Sequence, residues 1–118
     1  MILVIGGAGK GKLSWALRFT GLPADQVSGR PEDCPHILRR LETWLKTEED
    51  PMPALEAYLR RRPDGVILCD EVGCGVVPMD SADRAWRERV GRTCCTLAER
   101  AYRVVRVYCG IPMVLKGE

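Results

Sequence analysis

Apolar positions along the chain fall into short runs that alternate with amphipathic stretches. Residues 1–5 (MILVI) form a mostly β-branched run, which predicts a strand buried on both faces. Residues 12–19 and 35–46 instead space their apolar side chains as one face of a helix does. The rest of the pattern predicts a short strand near Val27, a helix over 54–62, a buried strand over 66–69, a long helix from Asp80 or Ser81 with the inner stripe Ala82, Trp86, Val90, Cys94, Leu97 and Ala101, and two strands over 103–110 and 112–116.

Strands that alternate with helices predict an α/β fold with a small, mainly parallel sheet between two helical layers. The chain has 118 residues, which suits one domain, and we expect residues 1–118 to form a single nucleotide-binding domain of the phosphate-loop type. No internal repeat or linker interrupts the pattern.

Composition gives no indication of nucleic acid, membrane or zinc as a partner. The net charge is +2, which gives no electrostatic argument for nucleic acid binding, and no apolar run is long enough to cross a membrane. The first apolar run is too short for a signal-peptide core, which predicts a cytoplasmic protein. Six cysteines without a CxxC pair, beside a single histidine, are interpreted as reduced and buried or half-buried thiols rather than zinc ligands.

A glycine-rich segment between the first strand and the first helix carries the candidate chemistry. Its sequence follows the phosphate-loop pattern G-x-x-x-x-G-K, in which backbone amides and a lysine hold phosphate groups at a helix N-terminus. The alternative is a glycine turn that only joins strand to helix. The predicted nucleotide-binding residues are Gly6, Gly7, Ala8, Gly9, Lys10, Gly11, Lys12 and Leu13, with Glu71 after the strand over 66–69.

The loop departs from the pattern at Leu13, where a serine or threonine hydroxyl would ligate Mg²⁺. Ser14 follows, but it is rotated by about 100° around a helix, so we expect Mg²⁺ binding to be possible but weakened. Asp70 is a weak candidate for a metal ligand, because it ends a strand at the edge where open α/β sheets bind ligands. Asp70 and Glu71 could equally be a loop cap or a solvent-facing pair.

Several motifs together resemble one family. The segments ILVIGGAGKGK, VILCDEVGCGVVP, RAWRERVGR and CGIPMVLK are similar to those of the bifunctional adenosylcobinamide kinase/adenosylcobinamide-phosphate guanylyltransferases of cobalamin biosynthesis. The most specific element is residues 71–78 (EVGCGVVP). The resemblance implies GTP or ATP as the bound nucleotide, adenosylcobinamide as a partner and a homo-oligomeric assembly.

The resemblance also implies a guanylylated histidine upstream of an arginine and a tryptophan. His36, Arg40 and Trp44 have that spacing, so His36 is the candidate nucleophile. A histidine in the first turn of an amphipathic helix is the structural alternative, and the predicted helix over 35–46 favours it.

The chain is also shorter than is usual for the family, and Cys94 and Cys95 stand where polar residues are usual. Three hypotheses follow. The chain is a cobinamide kinase/guanylyltransferase, a shortened non-catalytic relative that binds nucleotide or corrinoid and acts through partners, or an unrelated small kinase or NTPase.

Overall fold

The computed structural model describes residues 1–9, 11–72 and 80–117. Lys10 and most of the motif over 71–78 therefore lie outside the described residues. The strands are β1 (Ile2–Gly6), β2 (Val27–Ser28), β3 (Ile37–Leu38), β4 (Val66–Asp70), β5 (Arg103–Tyr108) and β6 (Ile111–Lys116), and the helices are α1 (Lys12–Thr20), α2 (Leu41–Trp44), α3 (Met52–Arg61) and α4 (Ser81–Arg100), with two short 3₁₀ turns at Ala24–Gln26 and Pro31–Asp33.

The described strands form one six-stranded sheet in the order β2-β3-β4-β1-β5-β6. All neighbouring pairs are parallel except the hairpin of β5 and β6, which is antiparallel. Alternate residues of β1 reach two separate cores, Ile2 and Val4 with Ala16 of α1, and Leu3 with the helices of the other face. The sheet therefore lies between two helical layers, which confirms the predicted α/β class.

The strand order places a crevice at one end of β1. The strands that follow β1 directly in sequence lie on one side of it, and β5 and β6 lie on the other. Gly6 at the end of β1 is level with Asp70 at the end of β4. Ligands of open α/β sheets bind at such a reversal, outside the carboxyl ends of the strands.

The helix predicted over residues 35–46 is wrong. Ile37 and Leu38 instead form β3, and the short helix α2 begins only at Leu41. Ile37 packs in the core beside α1 and Leu38 in the core of the other face, so both are fully buried. Consecutive residues that are buried on opposite faces require a strand. The helical spacing of the apolar residues is thus shared by two elements.

Most other elements agree with the predicted pattern. The short strand near Val27, the strand of β4 and the hairpin of β5 and β6 are all present. Asp80 caps α4 by accepting a hydrogen bond from the Asp83 amide at 2.6 Å. Within α4, however, Ala82 is exposed and Thr93 is buried, so the inner stripe starts later than predicted.

The five described cysteines are free thiols. Cys34 and Cys69 are buried and Cys94 is half-buried, as expected, but Cys95 and Cys109 are exposed. None of the described helices is both long enough and apolar enough to span a membrane.

Candidate functional site

The glycine segment leaves β1 in a conformation that requires glycine. A Cβ atom on Gly6 would lie 2.4 Å from the Val107 carbonyl oxygen of β5, so no side chain fits at this position. Gly9 and Gly11 have φ angles of +68° and +90°, which other residues rarely adopt. The loop is therefore held close to the carboxyl end of the sheet.

The described backbone amides of this loop form no hydrogen bonds with described backbone carbonyls. No described backbone carbonyl accepts a hydrogen bond from the amides of residues 7–9 or 11–13. The Trp15 amide donates to the Gly11 carbonyl at 3.0 Å, which begins the helical bonding of α1. Unpaired amides at the N-terminus of a nine-residue helix suit an anion.

Lys12 links the loop to the end of β4. Its side chain is 9% exposed, and its ammonium lies 2.7 Å from the Gly7 carbonyl and 2.6 Å from Asp70 Oδ1. An ammonium has three donors, so one stays available to a ligand after these two contacts. The structure therefore brings Lys12 and Asp70 together at the predicted edge, with the lysine charge balanced by the aspartate.

A cavity of about 400 Å³ opens in front of this pair. One wall is the loop with the start of α1, including Leu13, whose side chain supplies no oxygen. The opposite wall comes from four side chains of the segment that follows β3, where a helix was predicted. These are Arg39, Arg40, Glu42 and Thr43. Only Arg40 among them was singled out from the sequence, for its spacing from His36 and Trp44.

Glu42 is a buried carboxylate of the second wall, 7% exposed. Its Oε1 accepts a hydrogen bond from the Asp70 amide at 2.8 Å, and its Oε2 accepts one from the Thr43 hydroxyl at 3.0 Å. The Trp86 indole of α4 donates to the Glu42 carbonyl at 2.7 Å. Glu42 thus ties α2 to the end of β4 and sets the width of the cavity.

Glu71 is held away from this cavity. Its amide donates to the Gly6 carbonyl at 2.8 Å, but its carboxylate forms a two-point ion pair with Arg106 of β5, at 2.7 Å and 3.1 Å. Glu71 is not among the residues that line the cavity. In this arrangement the Glu71 carboxylate contacts β5, and only the Glu71 amide contacts the loop, at Gly6.

The sequence matches a known protein family. Residues 35–115, more than half of the chain, match the family described as cobinamide kinase / cobinamide phosphate guanyltransferase. The chain belongs to this family. The resemblance stated from the sequence motifs is confirmed.

A bifunctional adenosylcobalamin biosynthesis protein, CobP of Pseudomonas aeruginosa, is similar to the chain. The two are 39% identical over 66 residues, which is 55% of this chain and 38% of CobP. The matched region is thus well under half of that relative.

His36, the candidate guanylylation site, lies at the other edge of the sheet from the cavity. It precedes Ile37, which is level with Val66, the first residue of β4. The cavity lies beyond Asp70, four residues further along β4, or roughly 13 Å at the rise of a strand. The His36 ring is 3.9 Å from Asp64, and the structure does not bring it to the phosphate loop.

The donors for a metal ion are few. Mg²⁺ is usually bound by one or two carboxylates together with substrate phosphates. Here Asp70 already contacts Lys12, both oxygens of Glu42 accept hydrogen bonds, and Leu13 provides no oxygen, whereas Ser14, which also lines the cavity, offers a hydroxyl. Among the described residues, no group of three or more His, Cys, Asp or Glu side chains could hold a metal ion. The residues fit Mg²⁺ poorly unless the ligand supplies most of the oxygens.

Proposed function

We propose that the chain binds a purine nucleoside triphosphate, GTP or ATP, with its terminal phosphates on the loop of residues 6–13. The observation that carries this proposal is the set of loop amides without a described backbone partner at the start of α1, in residues that line a cavity beside Lys12 and Asp70. Several amides that converge on one point, a helix N-terminus and an ammonium are the groups that hold phosphate in proteins. Family membership supports a role in cobalamin biosynthesis, with adenosylcobinamide as the second substrate.

The arrangement suits phosphoryl transfer more than guanylyl transfer through His36. The loop amides would hold the β- and γ-phosphates, and the third donor of Lys12 would contact the γ-phosphate. The cavity between the loop and the segment after β3 would have to admit the hydroxyl of the acceptor beside the γ-phosphate. The family description names both activities, and the distance of His36 from the loop favours the kinase step for the described site.

Calorimetric titration with GTP and ATP, each with Mg²⁺ and with EDTA, tests the binding. Saturable binding to the wild-type chain, lost in Lys12→Ala and retained in Lys46→Ala, supports the proposal. Lys46 is a matched control because it is an exposed lysine whose ammonium lies over the Trp86 ring, away from the loop. Absence of binding by the wild-type chain at millimolar nucleotide would refute it.

A second candidate function is nucleotide binding without turnover. Two observations favour it, namely the leucine at the metal-binding position of the loop and the location of His36 at the opposite edge. Incubation with α-labelled GTP separates the candidates. An acid-labile label on the wild-type chain that is absent from His36→Ala would support guanylyl transfer, whereas tight binding without label or product would support the non-catalytic relative.

The homo-oligomer remains a prediction. The described edge strand β6 exposes Ile111, Met113 and Leu115, each more than half accessible. Light scattering of the purified chain measures the assembly directly, and a monomer at all concentrations would contradict the prediction.

A further inference from the structure

The charges of the described cavity walls are unevenly distributed. Lys12, Arg39 and Arg40 are cations, and Glu42 and Asp70 are carboxylates. Lys12 is already paired with Asp70 at 2.6 Å. Without the two arginines, the charged side chains of the described walls would be one ammonium and two carboxylates, which would oppose the attraction of the loop amides for a polyphosphate. The two arginines reverse this balance.

The backbone after β3 directs both arginines to the same cavity. Consecutive residues of a strand point to opposite faces, so a continued strand would send only one of them there. The Arg39 amide donates to the Ser28 carbonyl of β2 at 2.8 Å, which extends the sheet to this residue. Arg40 then adopts a left-handed conformation, with φ 54° and ψ 48°, and its carbonyl accepts hydrogen bonds from Thr43 and Trp44.

The left-handed conformation of Arg40 is unfavourable for a residue with a side chain, by about 1–2 kcal/mol. It is retained at the junction where the chain turns from β3 into α2, and it is this turn that lets two neighbouring residues line one wall. Strained backbone of this kind is concentrated at binding and catalytic sites.

Among the described residues, neither guanidinium group has a partner. Neither Arg39 nor Arg40 forms an ion pair or a side-chain hydrogen bond with the described residues. At the other edge of the sheet, by contrast, Arg61 and Arg62 donate to the carbonyls of Pro31 and Pro35. Guanidinium groups that the fold leaves unpaired at a cavity wall are available to an oxyanion.

We propose that Arg39 and Arg40 form a second phosphate subsite, opposite the phosphate loop, that binds a phosphate group of the substrate pair. This inference rests on the proposed function in so far as the loop holds the nucleotide. The phosphate that reaches the arginines is either the terminal phosphate of the nucleotide or a phosphomonoester on the acceptor. Both present phosphate oxygens that can accept two parallel hydrogen bonds from the planar guanidinium.

The test is a titration of GMP, GDP and GTP against Arg39→Ala, Arg40→Ala and the charge-retaining Arg40→Lys. The matched control is Arg60→Ala, which removes an exposed arginine near the end of α3. If the terminal phosphate reaches the arginines, each alanine variant weakens GTP binding by about tenfold and GMP binding by about twofold or less. Arg60→Ala leaves both unchanged, and Arg40→Lys recovers part of the loss.

The second arm replaces the nucleotide series by cobinamide phosphate and cobinamide. If the acceptor phosphate is the ligand, the alanine variants weaken binding of cobinamide phosphate by about tenfold and leave GTP and unphosphorylated cobinamide unchanged. Equal binding of all phosphate ligands by wild type and variants overturns the subsite while leaving nucleotide binding intact. Thermal unfolding of each variant shows that it is folded, and Arg39→Gln replaces Arg39→Ala if that variant is not.

Inorganic tripolyphosphate separates this inference from the proposed function. If the wild-type chain binds no nucleotide but binds tripolyphosphate with dependence on Arg39 and Arg40, the nucleotide proposal fails and the arginine subsite stands. If tripolyphosphate binding depends on Lys12 but on neither arginine, the subsite is refuted and the loop alone holds the anion.

Discussion

The parallel strands begin at one side of the sheet, here called the amino edge, and end at the other, the carboxyl edge. Polar groups at these two edges have different partners. At the amino edge, polar groups bond to the protein itself. The N-terminal ammonium donates to the Pro63 carbonyl at 2.8 Å, Arg61 and Arg62 donate to carbonyls of the preceding loop, and the buried Tyr58 hydroxyl donates to the His36 carbonyl. At the carboxyl edge, the loop amides and two guanidinium groups have no such partner among the described residues.

This difference separates structural polarity from binding polarity. A polar group that forms a hydrogen bond within the fold adds stability. A polar group left unpaired beside a cavity costs folding free energy, and it is available to bind a ligand. β3 shows both in two residues of strand, with His36 before it on the structural edge and Arg39 after it on the binding edge. Substitutions at the two edges should therefore change different quantities.

Lys12→Ala should have the largest effect. It removes the only ammonium that the described cavity presents and leaves Asp70 facing the phosphates without its partner. We expect GTP affinity to fall by about 100-fold or more, which is about 2.7 kcal/mol, measured by calorimetry. Lys46→Ala is the control, because it also removes one positive charge. An affinity within about threefold of wild type for Lys12→Ala would show that the carboxyl edge does not use this lysine.

Tyr58→Phe probes the structural edge. The Tyr58 side chain is fully buried, and burial raises the pKa of its hydroxyl, which stays protonated and donates to the His36 carbonyl. Loss of this donor should lower the free energy of unfolding by about 1–2 kcal/mol and Tm by about 5 °C, without change in nucleotide affinity. Tyr102→Phe, at an exposed tyrosine, is the control. A change in affinity without a change in Tm would contradict the division between the edges.

The fold was predictable from the sequence where one pattern served one element. The strands β1, β4, β5 and β6 and the helices α1 and α4 each have a clear apolar pattern with turn residues at its ends. The segment around β3 was not predictable, because a strand of two residues has no periodicity and its neighbours continue a helical spacing by coincidence. Its burial on both faces is decided by the sheet, which overrides local pattern.

The site was predictable to the same extent. The loop motif and the rule that ligands bind at the carboxyl ends of parallel strands placed Lys12 and Asp70 at the same end of the sheet. Asp70 was a weak candidate for a metal ligand, whereas its carboxylate contacts the Lys12 ammonium. Arg39 was missed, and Arg40 was singled out only for its spacing from His36 and Trp44, because their segment was assigned to a helix. For Glu71, sequence position alone could not reveal the competing ion pair with Arg106, a residue 35 positions away.

Leu13→Thr should increase the Mg²⁺ dependence of nucleotide binding at the carboxyl edge. It places a hydroxyl at the position where phosphate loops bind Mg²⁺, at the cost of some apolar packing against the core beside α1. We expect the ratio of GTP affinities with Mg²⁺ and with EDTA to rise by about fivefold, measured by calorimetry in both buffers. Leu13→Val is the control, because it shortens the side chain without adding an oxygen. An unchanged ratio would mean that the metal, if bound, is held without this position.

His36→Ala should have the smallest effect on nucleotide binding. The His36 ring lies near Asp64 at the amino edge, and its carbonyl, which receives the hydrogen bonds from Tyr58 and Val66, is retained in the variant. We expect GTP affinity within about twofold of wild type by calorimetry, beside the large loss in Lys12→Ala. A loss of tenfold or more would mean that the histidine segment moves to the cavity when nucleotide binds. The two edges would then act as one site, and the spacing of His36, Arg40 and Trp44 would reflect catalysis after all.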